Sequence, residues 1–359
     1  MQKLLIVALA MTWMVAGCSG GGGPGVPGEG FGVSGLLFNN NLVMYDRAQS
    51  DRDNGDLVLF PQMYFSNIRE ANYPVYGKFP GSQLLSGGPG VDGIPAITRP
   101  DLVPVSAAGF LADDDLVLGV VYRGEARAYP ENILWWHELI NDEIGNKLFT
   151  ISFCPLAGTG LVFDATHARQ RLALYPVIET TWHTWKELYP ESQVVSDNTG
   201  VYGRKRYQLY PYGNYRDEQT GPLFPINRPI DKRYPPKHRV LGLGVGGVRK
   251  AYPFATLAAA PVINDDVNGQ ATAVFFDLPS ETAIVYSRVL DDRTLTFDAM
   301  IREGELPRMV DRETGSEWNF RGEAVTGPLT RQRLQPLAAH NAFWFAWAAF
   351  WPETLVYGE

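Results

Sequence analysis

Residues 118–164 superimpose on residues 241–287 of the same chain without a gap, at a constant offset of 123. Thirteen of the 47 positions are identical, among them Leu118, Gly119, Ala128, Tyr129, Pro130, Asn141, Asp142 and Thr159. Ordinary residue usage would leave roughly three identities by chance, so the match marks a duplicated unit. A period this long describes two halves of one domain or two sister domains, not a solenoid.

Each copy reads alike. LVLGVVYRGEARAYP alternates about Arg123-Gly124-Glu125 and predicts a β-hairpin. Pro130 suits the first turn of a helix, PENILWWHELI, with a stop at an Asn141-Asp142 turn, and a second strand pair runs through KLFTISF and TGLVF. The expected fold class is therefore α+β and β-dominant: two tandem pseudo-repeats of hairpin-helix-hairpin units forming one large domain, over residues 86–236 and 237–359.

The chain ahead of the repeats reads differently. MQKLLIVALAMTWMVAGC places a lysine, an apolar run too short to span a bilayer, and small residues before Cys18. This predicts a lipoprotein signal peptide over 1–17 and lipidation at Cys18. Residues 18–30, rich in glycine, form a tether, and 31–85 an N-terminal strand segment. The expected partner is a membrane reached through the lipid anchor, with the domain facing the periplasm or exterior, and an outer membrane is favoured in a diderm host because Ser19 follows the cysteine. A net charge of −8 argues against nucleic acid. Two cysteines, one of them lipidated, leave no intramolecular disulfide.

The repeat also works as an internal control, because what both copies keep serves the scaffold. Ala-Tyr-Pro and Asn-Asp read as helix start and stop signals rather than catalytic groups. What copy one alone carries is the sharper signal. Trp135-Trp136-His137-Glu138 is answered by Ala258-Ala259-Ala260-Pro261, and Cys154 by Asp277. Helical spacing sets Ile133, Trp136, His137 and Ile140 on one inward stripe, and alternation puts Cys154 on the more polar face of its strand. Imidazole with thiolate suits a transition metal, zinc or copper, held by His137 and Cys154. The same pair with Glu138 also suits nucleophilic catalysis, Cys154 attacking and His137 acting as base. Glu138, Asp142 and Asp164 are the nearest carboxylates in sequence to serve as a third group. Against both stands the plain reading of a core histidine and a small buried thiol. A second candidate is YGRKRYQLYPYGNYR, 202–216, where Arg204, Arg206, Tyr207, Tyr212 and Tyr215 combine guanidinium and aromatic groups suited to a small-molecule ligand; a core-covering surface loop is the alternative. WHTWKELYPES, echoed by FWFAWAAFWPET, reads as a pair of aromatic core helices, and DRETGS at 311–316 as a polar turn.

DGIPAITRP, GEARAYPENILWWHELIND, ISFCPLAGTGLVFD, TTWHTWKELYPES and RKRYQLYPYGNY together resemble domain-of-unknown-function family 3179, over most of residues 86–260. The resemblance implies a bacterial envelope protein and no particular activity. Two departures stand out. The family commonly has Cys-Pro-Leu-Cys where this chain has Cys154-Pro155-Leu156-Ala157, which removes a dithiol motif. A segment like FGVSGLLFNNNLVMYDR usually lies between the cysteine strand and the TTW helix, whereas here it occupies 31–47. A permuted arrangement is expected, with 31–47 folding back beside strands 149–163.

Overall fold

The computed structural model describes residues 94–166, 173–223 and 229–359 in full, and the backbone of strands Val33–Phe38, Asn41–Asp46, Leu57–Leu59 and Lys78–Phe79. The signal segment, Cys18 and the tether lie outside the described residues. No helix among the described residues is long and apolar enough to cross a membrane.

Strands dominate and helices are few and short, so the fold is α+β with β in excess. Unit one runs β1 (Leu116–Tyr122), β2 (Glu125–Pro130), α1 (Glu131–His137), β3 (Leu139–Ile144), β4 (Lys147–Cys154), β5 (Thr159–Asp164), β6 (Ile178–Thr181), α2 (Trp182–Leu188) and β7 (Gln193–Val195). Unit two repeats that order with β8 (Arg239–Val245), β9 (Val248–Pro253), α3 (Phe254–Leu257), β10 (Val262–Val267), β11 (Gln270–Asp277) and β12 (Thr282–Ser287). After an inserted meander come β13 (Ala339–Phe343), α4 (Trp344–Phe350) and β14 (Leu355–Val356). Sheet order matches as well: β6-β1-β2-β7 in one unit and β13-β8-β9-β14 in the other. In both, the last strand runs parallel to the hairpin it closes.

The predicted hairpin-helix-hairpin unit therefore needs correction. The helix is followed by a three-stranded meander, β3-β4-β5 or β10-β11-β12, and later chain builds the first hairpin into a mixed sheet of four strands in unit two and of five in unit one, where strand Leu102–Pro104 adds to β7. Apart from the N-terminal strands, five sheets of three to five strands among the described residues form a propeller-like arrangement. The helix stops at His137, not at Asn141-Asp142. Those two residues sit inside β3 and spend their side chains on the scaffold. Asp142 accepts from the Tyr129 hydroxyl at 2.8 Å and from Arg127 at 2.7 Å. The second unit reproduces this with Tyr252 on Asp265 at 2.8 Å and Lys250 on Asp265 at 2.5 Å. Tyr-Pro and Asn-Asp are thus retained in both copies as the tie between hairpin and meander. Asp311 in DRETGS accepts from the backbone of Thr314 and from the Trp318 indole, which makes that turn structural.

The two aromatic helices are also duplicated. Trp185 of α2 lies fully buried against Gly119 of β1, and Trp347 of α4 against Gly242 of β8. Each indole donates seven residues onward, to Ser192 at 2.9 Å and to Thr354 at 2.8 Å. Only a glycine leaves room for a ring lying flat on the strand at these two positions.

The N-terminal strands pair among themselves as a four-stranded sheet, hydrogen-bonded separately from β4 and β5. Its strands follow one another in chain order, as do those of the inserted meander of unit two, 297–300, 308–311, 317–318 and 324–326. The position of 31–47 relative to strands 149–163 lies outside the described residues.

Candidate functional site

Helix α1 presents two different faces. His137, at its last turn, is completely buried and both ring nitrogens are engaged: Nδ1 lies 2.7 Å from the Pro95 carbonyl and Nε2 2.7 Å from the Tyr207 hydroxyl. Burial pushes its imidazole below the ordinary value. Its ring neighbours are Tyr202 and Tyr207. His137 thus faces inward as its spacing predicts, and it serves to fasten the 202–208 segment to the helix.

Cys154 packs elsewhere, with Ala157, Tyr215, Phe343 and Phe345. The strand Phe149–Cys154 is buried on both sides, so the predicted polar face is covered. The backbone N–H groups of Leu156 and Ala157 point at the sulfur, yet burial and the neighbouring Glu138 push the thiol up to about 12. Unit two shows the same turn chemistry: Asp277 accepts from the backbone of Ser280 at 3.0 Å. Cysteine and aspartate at this position share the task of capping a β-turn. The structure does not make an imidazole-thiol pair of His137 and Cys154, and among the described residues no three His, Cys, Asp or Glu side chains converge as metal ligands. In a Cys18→Ser variant, Cys154 is the only thiol, and it is expected to resist a thiol reagent at pH 8 until denaturant unfolds the chain. Stoichiometric labelling of the folded protein would show an accessible thiolate instead.

The opposite face of α1 carries Glu131 and Trp135, with Glu138 just beyond the helix end, at i, i+4 and i+7. Glu138 closes the helix in a left-handed conformation, φ 55°, with its amide on the Leu134 carbonyl at 2.7 Å. Its carbonyl accepts from the Phe153 amide at 2.9 Å, which locks this carboxylate beside Cys154. Glu138 is 3% exposed and burial drives its carboxyl well above the usual range. Glu131 is 2% exposed and is raised to about 8 by burial and by the charge of Glu179, against the pull of Arg216 and Arg239. Arg239 binds Glu179 directly and reaches Glu281 at 2.5 Å.

The segment 202–216 covers this helix. Arg206 stacks 4.1 Å from the Trp136 ring and 4.4 Å from Tyr202, while Arg216 stacks 4.3 Å from Trp135 and 4.5 Å from Tyr210. Arg216 also lies 3.6 Å from Glu131. Of the other predicted ligand residues, Arg204 is exposed 3.5 Å from Asp197, and Tyr207 is bonded to His137 and Thr199. Tyr215 donates to the Leu156 carbonyl, and Tyr212 stands near both Glu138 and Cys154. Asp142 belongs to the scaffold and Asp164 pairs with Lys147 at 2.8 Å, so neither joins the site.

Several buried polar atoms here have no hydrogen-bond partner: Glu131 Oε1, Asn132 Oδ1, Trp135 Nε1, Glu138 Oε2 and Glu179 Oε2. Leaving such groups unpaired costs about 1–3 kcal/mol each, which makes their concentration on one short helix and its surroundings informative. Sequence reasoning passed over Glu131, Asn132 and Glu179. The internal control held the signal for the first two, since Phe254 and Ala255 answer them in unit two. Glu179 lies outside the gapless match and could be found only from the fold.

Fold and site together describe a duplicated β-dominated domain in which the helix after the first hairpin carries buried, unpaired polar atoms in the first copy and apolar residues at the same positions in the second. The sequence profile of the family described as protein of unknown function, DUF3179, matches residues 91–174 and 165–354, and the chain belongs to that family. Comparison with curated proteins gave no match, and comparison with solved structures gave none.

Proposed function

We propose that this is a lipid-anchored protein of the bacterial envelope that holds a small polar ligand in its first unit, against the Glu131–Trp135–Glu138 face of α1. The observation that carries the reading is the set of unpaired buried polar atoms on and around α1. The equivalent helix of unit two offers Phe254, Ala255, Ala258 and Pro261 instead. A fold that needed this helix only for packing would take the apolar version in both copies. The anchor rests on Cys18 behind its apolar run, and the periplasm or exterior is the corresponding location.

Thiol catalysis is the weaker reading. The thiol is pushed far above neutrality and the imidazole is spent on Pro95 and Tyr207. A zinc or copper site on His137 and Cys154 has the same difficulty, since a ligating imidazole must free one nitrogen.

Two measurements on protein extracted from membranes test the proposal. Wild type is expected to partition into detergent and a Cys18→Ala variant into the aqueous fraction. Native mass spectrometry is expected to find a small molecule on the wild type that is absent when Glu138 becomes leucine. A wild type that is aqueous refutes the anchor. A wild type with no bound mass, and with unchanged melting against a metabolite library, refutes the ligand site and favours a scaffold without chemistry.

A further inference from the structure

Resting on that ligand-site reading, we propose that the ligand is a small organic cation whose ammonium or guanidinium group is received by Glu138, beside the ring of Tyr212. The unpaired atoms decide the class. With the Tyr210 hydroxyl, which can donate or accept, there are six: Asn132 Oδ1 accepts, Glu131 Oε1, Glu138 Oε2 and Glu179 Oε2 accept when the carboxyls are ionised, and only Trp135 Nε1 is an obligate donor. Once ionised, these carboxyls are satisfied only by a ligand that brings N–H or O–H donors.

The chain itself shows what this face accommodates. At the Glu131 end, the guanidinium of Arg216 lies over Trp135 and Tyr210 and reaches toward the Glu131 carboxyl group. At the Glu138 end no cation is provided: among the described residues Glu138 has no ion pair, and the titratable groups beside it are Cys154 and Tyr212. One of two similar acid-and-aromatic positions is filled by an intramolecular guanidinium, and the other holds a buried carboxyl without a partner. A cation stacked on an aromatic ring and paired with a desolvated carboxylate gains from both contacts. The neutral, buried Glu138 must lose its proton to receive the cation, so binding releases a proton and strengthens as pH rises.

Four probes of similar size separate the possibilities: n-butylamine and N-ethylguanidinium as cations, 1-butanol as the neutral form, and butyrate as the anion, each titrated into the full-length protein in detergent by ligand-observed NMR. The two cations are expected to bind, with affinity at least tenfold above butanol and butyrate, and to lose about tenfold in Glu138→Gln. Tyr212→Leu leaves the carboxyl in place and is expected to weaken both cations severalfold, which covers a Glu138 variant that fails to fold. Butanol or butyrate binding as well as the cations overturns the cationic class and leaves the ligand site standing. Binding by none of the four overturns both. Cation affinity unchanged in both variants places the cation elsewhere and overturns the assignment to Glu138.

Discussion

A Glu131→Gln variant is expected to melt above wild type at neutral and alkaline pH, by roughly 3–8 °C at pH 8.5, and to match it near pH 4.5. The carboxyl of Glu131 is raised from an ordinary 4.5 to about 8 by burial, then by the charge of Glu179. The folded state therefore holds a proton that the unfolded state gives up. For a folded-state pKa above the unfolded one, the stabilisation is fully present below about 4.5 and is lost as pH rises through about 8. Across that window wild type weakens by an order of a few kcal/mol, while an amide, which does not titrate, is spared. The groups that face Glu131 are Asp115 and Glu179, which raise its pKa further, and Arg216 and Arg239, which oppose them. Calorimetric melting of both proteins from pH 4.5 to 9 decides the matter. If the two arginines hold Glu131 ionised throughout, the variant will melt below wild type at every pH, and the account of a protonated carboxyl fails.

On the proposed ligand-site reading, such a penalty is what keeping the acid for binding costs the fold. A buried acid that weakens the resting protein at the pH where it works makes sense only if something else uses it. In unit two phenylalanine replaces Glu131, and Arg239 lies 4.8 Å from that Phe254 ring, an apolar counterpart of the polar arrangement in unit one. Both versions are compatible with the same backbone, so the difference between them is chemical.

How much of this was legible follows from which interactions are local. The duplication and the scaffold role of Tyr129 and Asp142 were readable, because a retained residue in two diverged copies reports shared packing. The end of α1 was misplaced because Asn141 and Asp142 resemble turn residues. In β3 their side chains satisfy Thr150, Tyr129 and Arg127, and Asn-Asp becomes strand chemistry through tertiary partners no local pattern shows. His137 was rightly placed inward but matched to the wrong neighbour: Tyr207 lies 70 residues away and reaches it only because 202–216 folds over the helix. Cys154 looked special against Asp277, yet the two cap the same turn. The comparison of copies singled out Trp135–Glu138, and the structure divides that run, with His137 fastened to Pro95 and Tyr207 while Trp135 and Glu138 keep unpaired polar atoms.

The duplicated tryptophans give a prediction of comparable size that probes the repeat as a physical object. Trp185→Ala is expected to cost about 3–5 kcal/mol, since the ring is fully buried and its removal leaves a cavity as well as an unpaired Ser192 hydroxyl. Trp347→Ala should cost the same, with the Thr354 hydroxyl losing the indole N–H it accepts from. Gly119→Ala alone should cost about 1–3 kcal/mol or more, because the added carbon would stand 1.9 Å from the Trp185 ring. The informative result is the combination. In a Trp185→Ala background the space above Gly119 is open, so Gly119→Ala should become nearly neutral and the two losses fall well short of additive. The same cycle with Gly242 and Trp347, where the distance is 2.0 Å, should give a coupling of the same sign and size. Denaturant melts of the six variants supply these numbers. Additive losses in either unit would mean the ring does not rest on its glycine, and equal couplings in both would establish that the duplication preserves the energetics of the scaffold while the face of α1 diverged.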